Sequence, residues 1–158
     1  MSKPSVYLET TIPSLLTARP SKDARLAGMQ ASVRSWWVNQ RGDFDLFASP
    51  IVIAEAQVGD AEMAAARLKC ISEAALLTVT DDALDLAERL VRKMSLPAAK
   101  RNDAVHLAVA ATSKLNYLLT WNCKHLANID IITKVEALCE QAGYRCPLIC
   151  TTDQLNAK

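Results

Sequence analysis

Short apolar segments alternate with longer amphipathic segments along the whole chain. Val6 to Leu8 and Tyr117 to Leu119 are apolar runs of the length that buried strands have. The segments between such runs carry apolar residues at helical spacing, and many begin at Ser, Thr or Asp and end at Gly. The pattern therefore predicts strands and helices in alternation.

The predicted strands are Ser5 to Glu9, Asp45 to Ser49, Leu76 to Val79, Tyr117 to Thr120 and Pro147 to Thr151. The predicted helices are a turn at Pro13 and Ser14, then Ser21 to Gln40, Ile51 to Val58, Asp60 to Ala74, Asp81 to Met94, a helix capped by Asn102 that runs through Lys114, and Ile131 to Ala142. Strands separated by helices pair in parallel through crossover connections. We therefore expect a three-layer α/β/α sandwich with a central, mainly parallel sheet of about five strands.

Length and composition predict one domain over residues 1–158. A chain of 158 residues that is 51% hydrophobic and 22% charged can build one full core. It has no repeats, low-complexity tracts or linkers. The net charge of +1 argues neither for nor against a nucleic-acid partner.

The same sequence predicts a cytoplasmic protein. We see no export signal, and no apolar run approaches the length that spans a bilayer. The five cysteines are an odd number without a C-x-x-C pair, so we interpret them as free and mostly buried thiols in a reducing compartment.

The candidate functional residues are polar side chains at the ends or beginnings of the apolar runs. Glu9 follows the first strand, Glu55 lies on the helix after the second strand, Asp103 lies in the first turn of a helix, and Asn122 follows the fourth strand. Ligands of open α/β sheets bind beyond the carboxyl ends of the strands. All four side chains can therefore reach one edge of the sheet.

Oxygen ligands of this kind suit Mg²⁺ or Mn²⁺, which polarise phosphodiesters and lower the pKa of a bound water. Each residue also has an ordinary explanation. Glu55 could be a solvated helix residue, Asp103 could favour the helix dipole, and Asn122 could form a turn. We favour a metal site over these separate explanations only because all four residues are expected at the same edge of the sheet.

Several motifs resemble those of a known family. The residues that carry the resemblance are Val6-Tyr7-Leu8-Glu9-Thr10-Thr11, Glu55, Asn102 to Ala108 and Leu118 to His125. In order and in kind they resemble the PIN domain, a family that includes the VapC-type toxins of bacterial toxin–antitoxin systems. The resemblance covers nearly the whole chain.

This resemblance implies a Mg²⁺- or Mn²⁺-dependent endoribonuclease that cleaves single-stranded RNA, as the toxin of a type II toxin–antitoxin pair. It implies that Glu9, Glu55 and Asp103 are the metal ligands and that Asn122 completes the catalytic set. A cognate antitoxin and a homodimer are the partners expected from the family. Contacts with substrate are expected from Thr10, Thr11, Arg101 and Lys124.

Two positions depart from the family pattern. Glu9 stands where the first acid is usually Asp, and Asn122 stands where the fourth acid is usually Asp. The second change removes one negative charge and would weaken a second metal site. The sequence thus leaves open a catalytically degenerate PIN-like module that binds RNA or a partner protein.

Other residues and functions carry less weight. His106 shares a helix face with Asp103, but a packed histidine explains it better than a role beside the metal. Trp36, Trp37 and Trp121 could stack on bases, although Trp36 and Trp37 are better explained by packing. A receiver-like phosphotransfer domain would need an acid pair at the first strand, where Glu9 stands alone.

Overall fold

Five parallel strands form the centre of the molecule in a computed structural model that describes residues 2–155. The strands are β1 Ser5–Leu8, β2 Asp45–Ala48, β3 Ala75–Leu76, β4 Tyr117–Leu119 and β5 Leu148–Cys150. They lie in the order β3-β2-β1-β4-β5, and each neighbouring pair is parallel. The predicted parallel sheet is confirmed.

Seven α-helices connect the strands within the described residues. They are α1 Thr11–Thr17, α2 Ala24–Asn39, α3 Pro50–Ala56, α4 Ala61–Ile71, α5 Asp81–Met94, α6 Arg101–Thr112 and α7 Ile129–Gln141. Short 3₁₀ turns lie at Arg41–Asp43 and Ala98–Lys100. Each crossover contains at least one helix, as parallel pairing requires.

Both faces of the sheet are covered, because successive residues of each strand point to opposite sides. Tyr7 packs into one hydrophobic cluster with residues of α5, α6 and α7, while Val6 and Leu8 pack into a second cluster with α1 and α2. Trp36 and Trp37 belong to the second cluster, so their interpretation as packing residues is confirmed. The three-layer α/β/α architecture is therefore confirmed as well.

The register of the two central strands determines where the site can form. Leu8 of β1 lies opposite Leu119 of β4, and the backbone N–H of Glu9 donates to the Leu119 carbonyl over 3.1 Å. Strand order reverses between β1 and β4, which is the point where open α/β sheets leave a crevice at their carboxyl ends. Glu9 and Thr120 therefore emerge side by side at this crevice.

Helix starts were predicted with mixed success. Helix α5 begins at Asp81, as predicted, and Thr80 caps it by accepting a hydrogen bond from the Ala83 backbone N–H. Asn102 is not the cap of α6, because that helix already begins at Arg101. Its side chain hydrogen-bonds to Glu55 instead.

Several boundaries also differ from the prediction. β3 is only Ala75–Leu76, an edge strand that pairs with β2 alone. The turn expected at Pro13 and Ser14 is the full helix α1, and α4 ends at Ile71, before the predicted Ala74. All five cysteines are free thiols, as predicted. In residues 2–155 we find no helix long and apolar enough to cross a membrane.

Replacement of Leu90 tests the larger cluster. Leu90 is fully buried on α5, so Leu90→Ala should lower the free energy of unfolding by about 2–5 kcal/mol through lost burial and a residual cavity. Leu84 lies on the same helix but is 40% exposed, and Leu84→Ala should cost less than about 1 kcal/mol. Urea unfolding of the two variants measures the difference, and equal losses would contradict this packing.

Candidate metal centre

Glu9 is a buried carboxylate held by a cradle of hydroxyl groups. Its Oε1 accepts hydrogen bonds from Thr11 Oγ1 over 2.5 Å, from Thr120 Oγ1 over 2.6 Å and from the Thr11 backbone N–H over 3.2 Å. Only 4% of the residue is exposed. A carboxylate buried to this degree requires such partners, because water cannot solvate it.

The orientation of these hydroxyl groups is set by the backbone. Thr11 Oγ1 accepts from the Trp121 N–H over 2.8 Å, and Thr120 Oγ1 accepts from the Asn122 N–H over 2.9 Å. Each hydroxyl has one proton to donate. Because its oxygen already accepts a hydrogen bond from the backbone, this proton is directed to Glu9. The strand ends thus fix Glu9 Oε1 and leave Glu9 Oε2 for another partner.

Glu55 is held by a second set of contacts. Its Oε1 lies 2.6 Å from Thr10 Oγ1, which donates to it, and 2.6 Å from His106 Nε2. The other ring nitrogen, His106 Nδ1, lies 2.7 Å from the Tyr7 hydroxyl, which in turn lies 2.7 Å from Ser49 Oγ. The contacts form one chain of hydrogen bonds from the buried sheet to the edge of the site.

The pKa values of this pair shift in the directions of an ion pair. Burial alone would lower the pKa of His106, but the hydrogen bond to Glu55 and the charges of Glu9, Glu55 and Asp103 raise it above its ordinary value. Burial alone would raise the pKa of Glu55, but the hydrogen bond and charge of His106 lower it, with help from Thr10 and Asn102. Burial without water also raises the pKa of Tyr7, which stays protonated.

The structure brings three potential ligands together. Ligand atoms of Glu9, Glu55 and His106 all lie within 4.8 Å of one another. The two carboxylates can hold a divalent cation, whereas His106 can join them as a ligand only in its neutral form, with its Nε2 released from Glu55. His106 enters this group although the sequence favoured a packing role for it.

Asp103 lies beside this group rather than in it. Among the described residues, its buried Oδ2 has no hydrogen-bond partner, although His125 Nδ1 lies 3.0 Å away without the alignment of a hydrogen bond. Its charge acts on His106. An oxygen buried without a partner is costly, and a cation would satisfy it.

Asn122 makes a local contact. Its Oδ1 accepts a hydrogen bond from the His125 backbone N–H over 3.0 Å, which is the turn-forming geometry of such side chains. Its place in the catalytic set stays a prediction.

The predicted substrate contacts are spread around the site. Thr10 and Thr11 donate their hydroxyl protons to the two glutamates. Arg101 pairs with Glu88 of α5, and Lys124 is exposed in the segment after β4. Substrate binding by these four residues stays a prediction.

Sequence reasoning missed the role of Thr120 and gave His106 too little weight. The offset of three residues between Asp103 and His106 did place both on one helix face. The contact between Tyr7 and His106, by contrast, could not be predicted from a local sequence pattern, because 99 positions separate the two residues.

No protein-family model matches the sequence, and no curated protein matches it. Solved structures do share its fold. VapBC2 from Rickettsia felis, bound to a DNA fragment from its promoter, is similar with a TM-score of 0.58 at 14% identity, over 92% of this chain and 97% of that one. A toxin–antitoxin complex from Klebsiella pneumoniae is similar with a TM-score of 0.57 at 20% identity, over 80% and 94% of the two chains.

VapC20 from Mycobacterium tuberculosis, a Sarcin-Ricin loop cleaving toxin, gives a TM-score of 0.58 at 18% identity, over 89% of this chain and 96% of that one. At these identities the likeness concerns the fold. The chain has the three-layer fold of the VapC-like PIN domains, as the motif resemblance implied.

The ion pair between His106 and Glu55 predicts a pH-dependent contribution to stability. The folded-state pKa of His106 is raised above 6.5, so its contribution is full below that pH and is lost as pH rises through the raised value. The pKa of Glu55 is lowered below 4.5, so its contribution is present above that pH. In EDTA, the wild type should have a higher free energy of unfolding than His106→Gln. This difference should be largest near about pH 6 and should shrink as the pH rises toward about 9.

Urea unfolding across this pH range measures the margin. In a Glu55→Gln background the pH dependence of the histidine substitution should become smaller, because the hydrogen bond to Glu55 is the largest favourable cause of the raised pKa, while the charges of Glu9 and Asp103 remain. A margin that stays constant with pH in the wild-type background would contradict the ion pair.

The hydroxyl cradle predicts a stability loss for Thr120→Val. This change keeps the shape of the side chain but removes a donor to a buried carboxylate, so it should lower the free energy of unfolding by about 1.5–3 kcal/mol. Thr133→Val is the matched control, because Thr133 is exposed and bonds only within its helix, and it should change stability by about 0.5 kcal/mol or less. Equal effects of the two variants would show that Glu9 does not depend on Thr120.

Proposed function

We propose that this chain is a Mg²⁺- or Mn²⁺-dependent endoribonuclease that cleaves single-stranded RNA as the toxin of a toxin–antitoxin pair. The observation that supports it most is the convergence of Glu9, Glu55 and His106 within 4.8 Å at the carboxyl edge of a PIN-type sheet. The three residues come from the end of β1, from α3 and from α6, and 97 positions of sequence separate the first from the last.

The residues present fit a divalent cation. Glu9 Oε2 remains after Oε1 has taken three hydrogen bonds, Glu55 is partly exposed, and Asp103 Oδ2 is buried with no hydrogen bond and only His125 Nδ1 nearby, at 3.0 Å. Oxygen donors of this kind are those that Mg²⁺ and Mn²⁺ select, and an imidazole nearby favours Mn²⁺. A bound cation would supply Lewis-acid polarisation of the phosphodiester and activate a water.

The residues of the chain position these donors. The cradle fixes the orientation of Glu9, and the hydrogen-bond chain through Tyr7 and His106 fixes that of Glu55. Outer contacts of this kind commonly account for 10- to 100-fold in metal affinity or activity. Asn122 would position a water, and Arg101 and Lys124 would contact the RNA backbone.

An antitoxin is the partner we propose, because the structural neighbours include toxin–antitoxin assemblies. A homodimer and single-stranded RNA complete the proposed set of partners. A cytoplasmic location agrees with these partners and with the free thiols.

One observation favours a second candidate function. Asn122 uses its carbonyl oxygen within its own turn, and Glu55 is already paired with His106. A site with these contacts but without metal affinity would be a degenerate module that binds RNA or a partner protein. Metal binding separates the two proposals.

Incubation of the pure protein with single-stranded RNA tests the first proposal. Cleavage should require Mn²⁺ or Mg²⁺ and stop in EDTA. Glu9→Gln and Asp103→Asn should each lower the rate by more than about 100-fold, because loss of a ligand should exceed the effect of outer contacts. Asp82→Asn, an exposed acid at the start of α5, is the matched control and should leave the rate unchanged.

Thermal unfolding gives a readout that does not depend on cleavage. Mn²⁺ at about 100 times its Kd should stabilise the wild type by about 2.7 kcal/mol and raise its Tm. Asp103→Asn should abolish that rise, whereas Asp82→Asn should retain it. No rise in the wild type would contradict the nuclease proposal and favour the degenerate module.

A further inference from the structure

A cavity of about 330 Å³ opens beside the candidate metal centre. Glu9 and Glu55 are among the residues that line it, and Leu15, Met29 and Trp121 contribute apolar surface to the same lining. Its volume is at the lower end of the range for small-molecule sites, which suits a single flat group. A larger cavity of about 680 Å³ near the start of β2 contains none of these residues and does not adjoin the proposed chemistry.

Trp121 is held in place by hydrogen bonds at two points. Its backbone N–H donates to Thr11 Oγ1, and its indole Nε1–H donates to Thr152 Oγ1, each over 2.8 Å. Thr152 Oγ1 also lies 2.6 Å from Ser32 Oγ of α2. The indole donor is therefore already used, and what the ring offers a ligand is its apolar surface. A ring fixed in advance loses little entropy when a ligand packs against it.

The lining of the cavity combines two kinds of chemistry. The carboxylates of Glu9 and Glu55 repel an anion next to them unless a cation lies between them. The side chains of Leu15, Met29 and Trp121 favour an uncharged, flat group. A nucleotide within RNA matches both, with an anionic phosphodiester next to a neutral aromatic base.

We propose that this cavity binds one nucleobase of the RNA, packed against Trp121 and adjacent to the phosphodiester at the metal centre. The inference rests on the proposed ribonuclease function, and it adds the element that recognises the substrate. Stacking on a protein aromatic ring tolerates every base, so binding should require a single strand more strictly than a particular sequence.

Binding of short oligonucleotides in EDTA tests this proposal without any cleavage. The uncompensated carboxylates weaken binding by the wild type and the variants alike, so the ratio of their Kd values reports on the cavity. We would measure the fluorescence anisotropy of 5′-labelled single-stranded hexanucleotides of U, C or A. Trp121→Leu keeps an apolar side chain but removes the aromatic face, so it should raise Kd by about tenfold, within the range for base stacking. Trp121→Phe keeps a ring and should raise Kd by about threefold or less.

Two further variants separate the cavity from general effects of substitution. Ser14→Phe should fill the cavity from α1, where Ser14 lines it, and should also raise Kd by about tenfold. Tyr144→Leu is the matched control, because Tyr144 lines a separate cavity beside Glu136 and Glu140, and it should leave Kd unchanged. Melting temperatures of all variants would confirm that they fold, and Ser14→Phe tests the cavity even if Trp121→Leu does not fold.

The outcomes distinguish this inference from the nuclease proposal. Wild-type affinity in both Trp121→Leu and Ser14→Phe would overturn the nucleobase site, even if the enzyme cleaves RNA in Mn²⁺. Loss of affinity in both variants would support the nucleobase site. If both variants lose affinity but the wild type shows no metal-dependent cleavage, the nuclease proposal fails and the proposal of a nucleobase site stands.

Discussion

The burial of Glu9 at the end of β1 is the constraint on which the rest of the site depends. A carboxylate that is 4% exposed is stable only if its oxygens are satisfied from within the protein. Parallel pairing of β1 with β4 meets part of this requirement, because it places Thr120 next to Glu9. The turn into α1 adds Thr11. The register of β1 against β4 therefore determines the geometry around Glu9.

The fold could be predicted from the sequence because its determinants are local. Val6 to Leu8 and Tyr117 to Leu119 are apolar on both faces, and Thr80 is a strong start for the following helix. The edge strand β3 could not be placed accurately, because the apolar run at residues 74–79 gives no sharp boundary and the strand pairs on one side only. Asn102 was misassigned as a cap because the 3₁₀ turn Ala98–Lys100 leads directly into α6 at Arg101.

The candidate site could be predicted only in part. Glu9, Glu55 and Asp103 stand at ends of elements, and strand topology alone brings such positions to one edge. His106 was given too little weight, and Thr120 and Tyr7 were missed, because these residues act through contacts between distant parts of the sequence. Tyr7 looks like an ordinary strand residue, and its ring does pack in the core. Only the tertiary structure shows that its hydroxyl reaches His106.

The chain itself partly balances the charge of the candidate site. Asn122 is neutral at the position where the resemblance to PIN domains implies a fourth acid, and His106 can add a positive charge next to Glu55. Both features reduce the repulsion among Glu9, Glu55 and Asp103, so this site needs less compensation from cations than four acids would. A proton on His106 and a divalent cation would then serve the same carboxylates. The site is thus best described as a set of carboxylates whose charge is balanced from inside the fold.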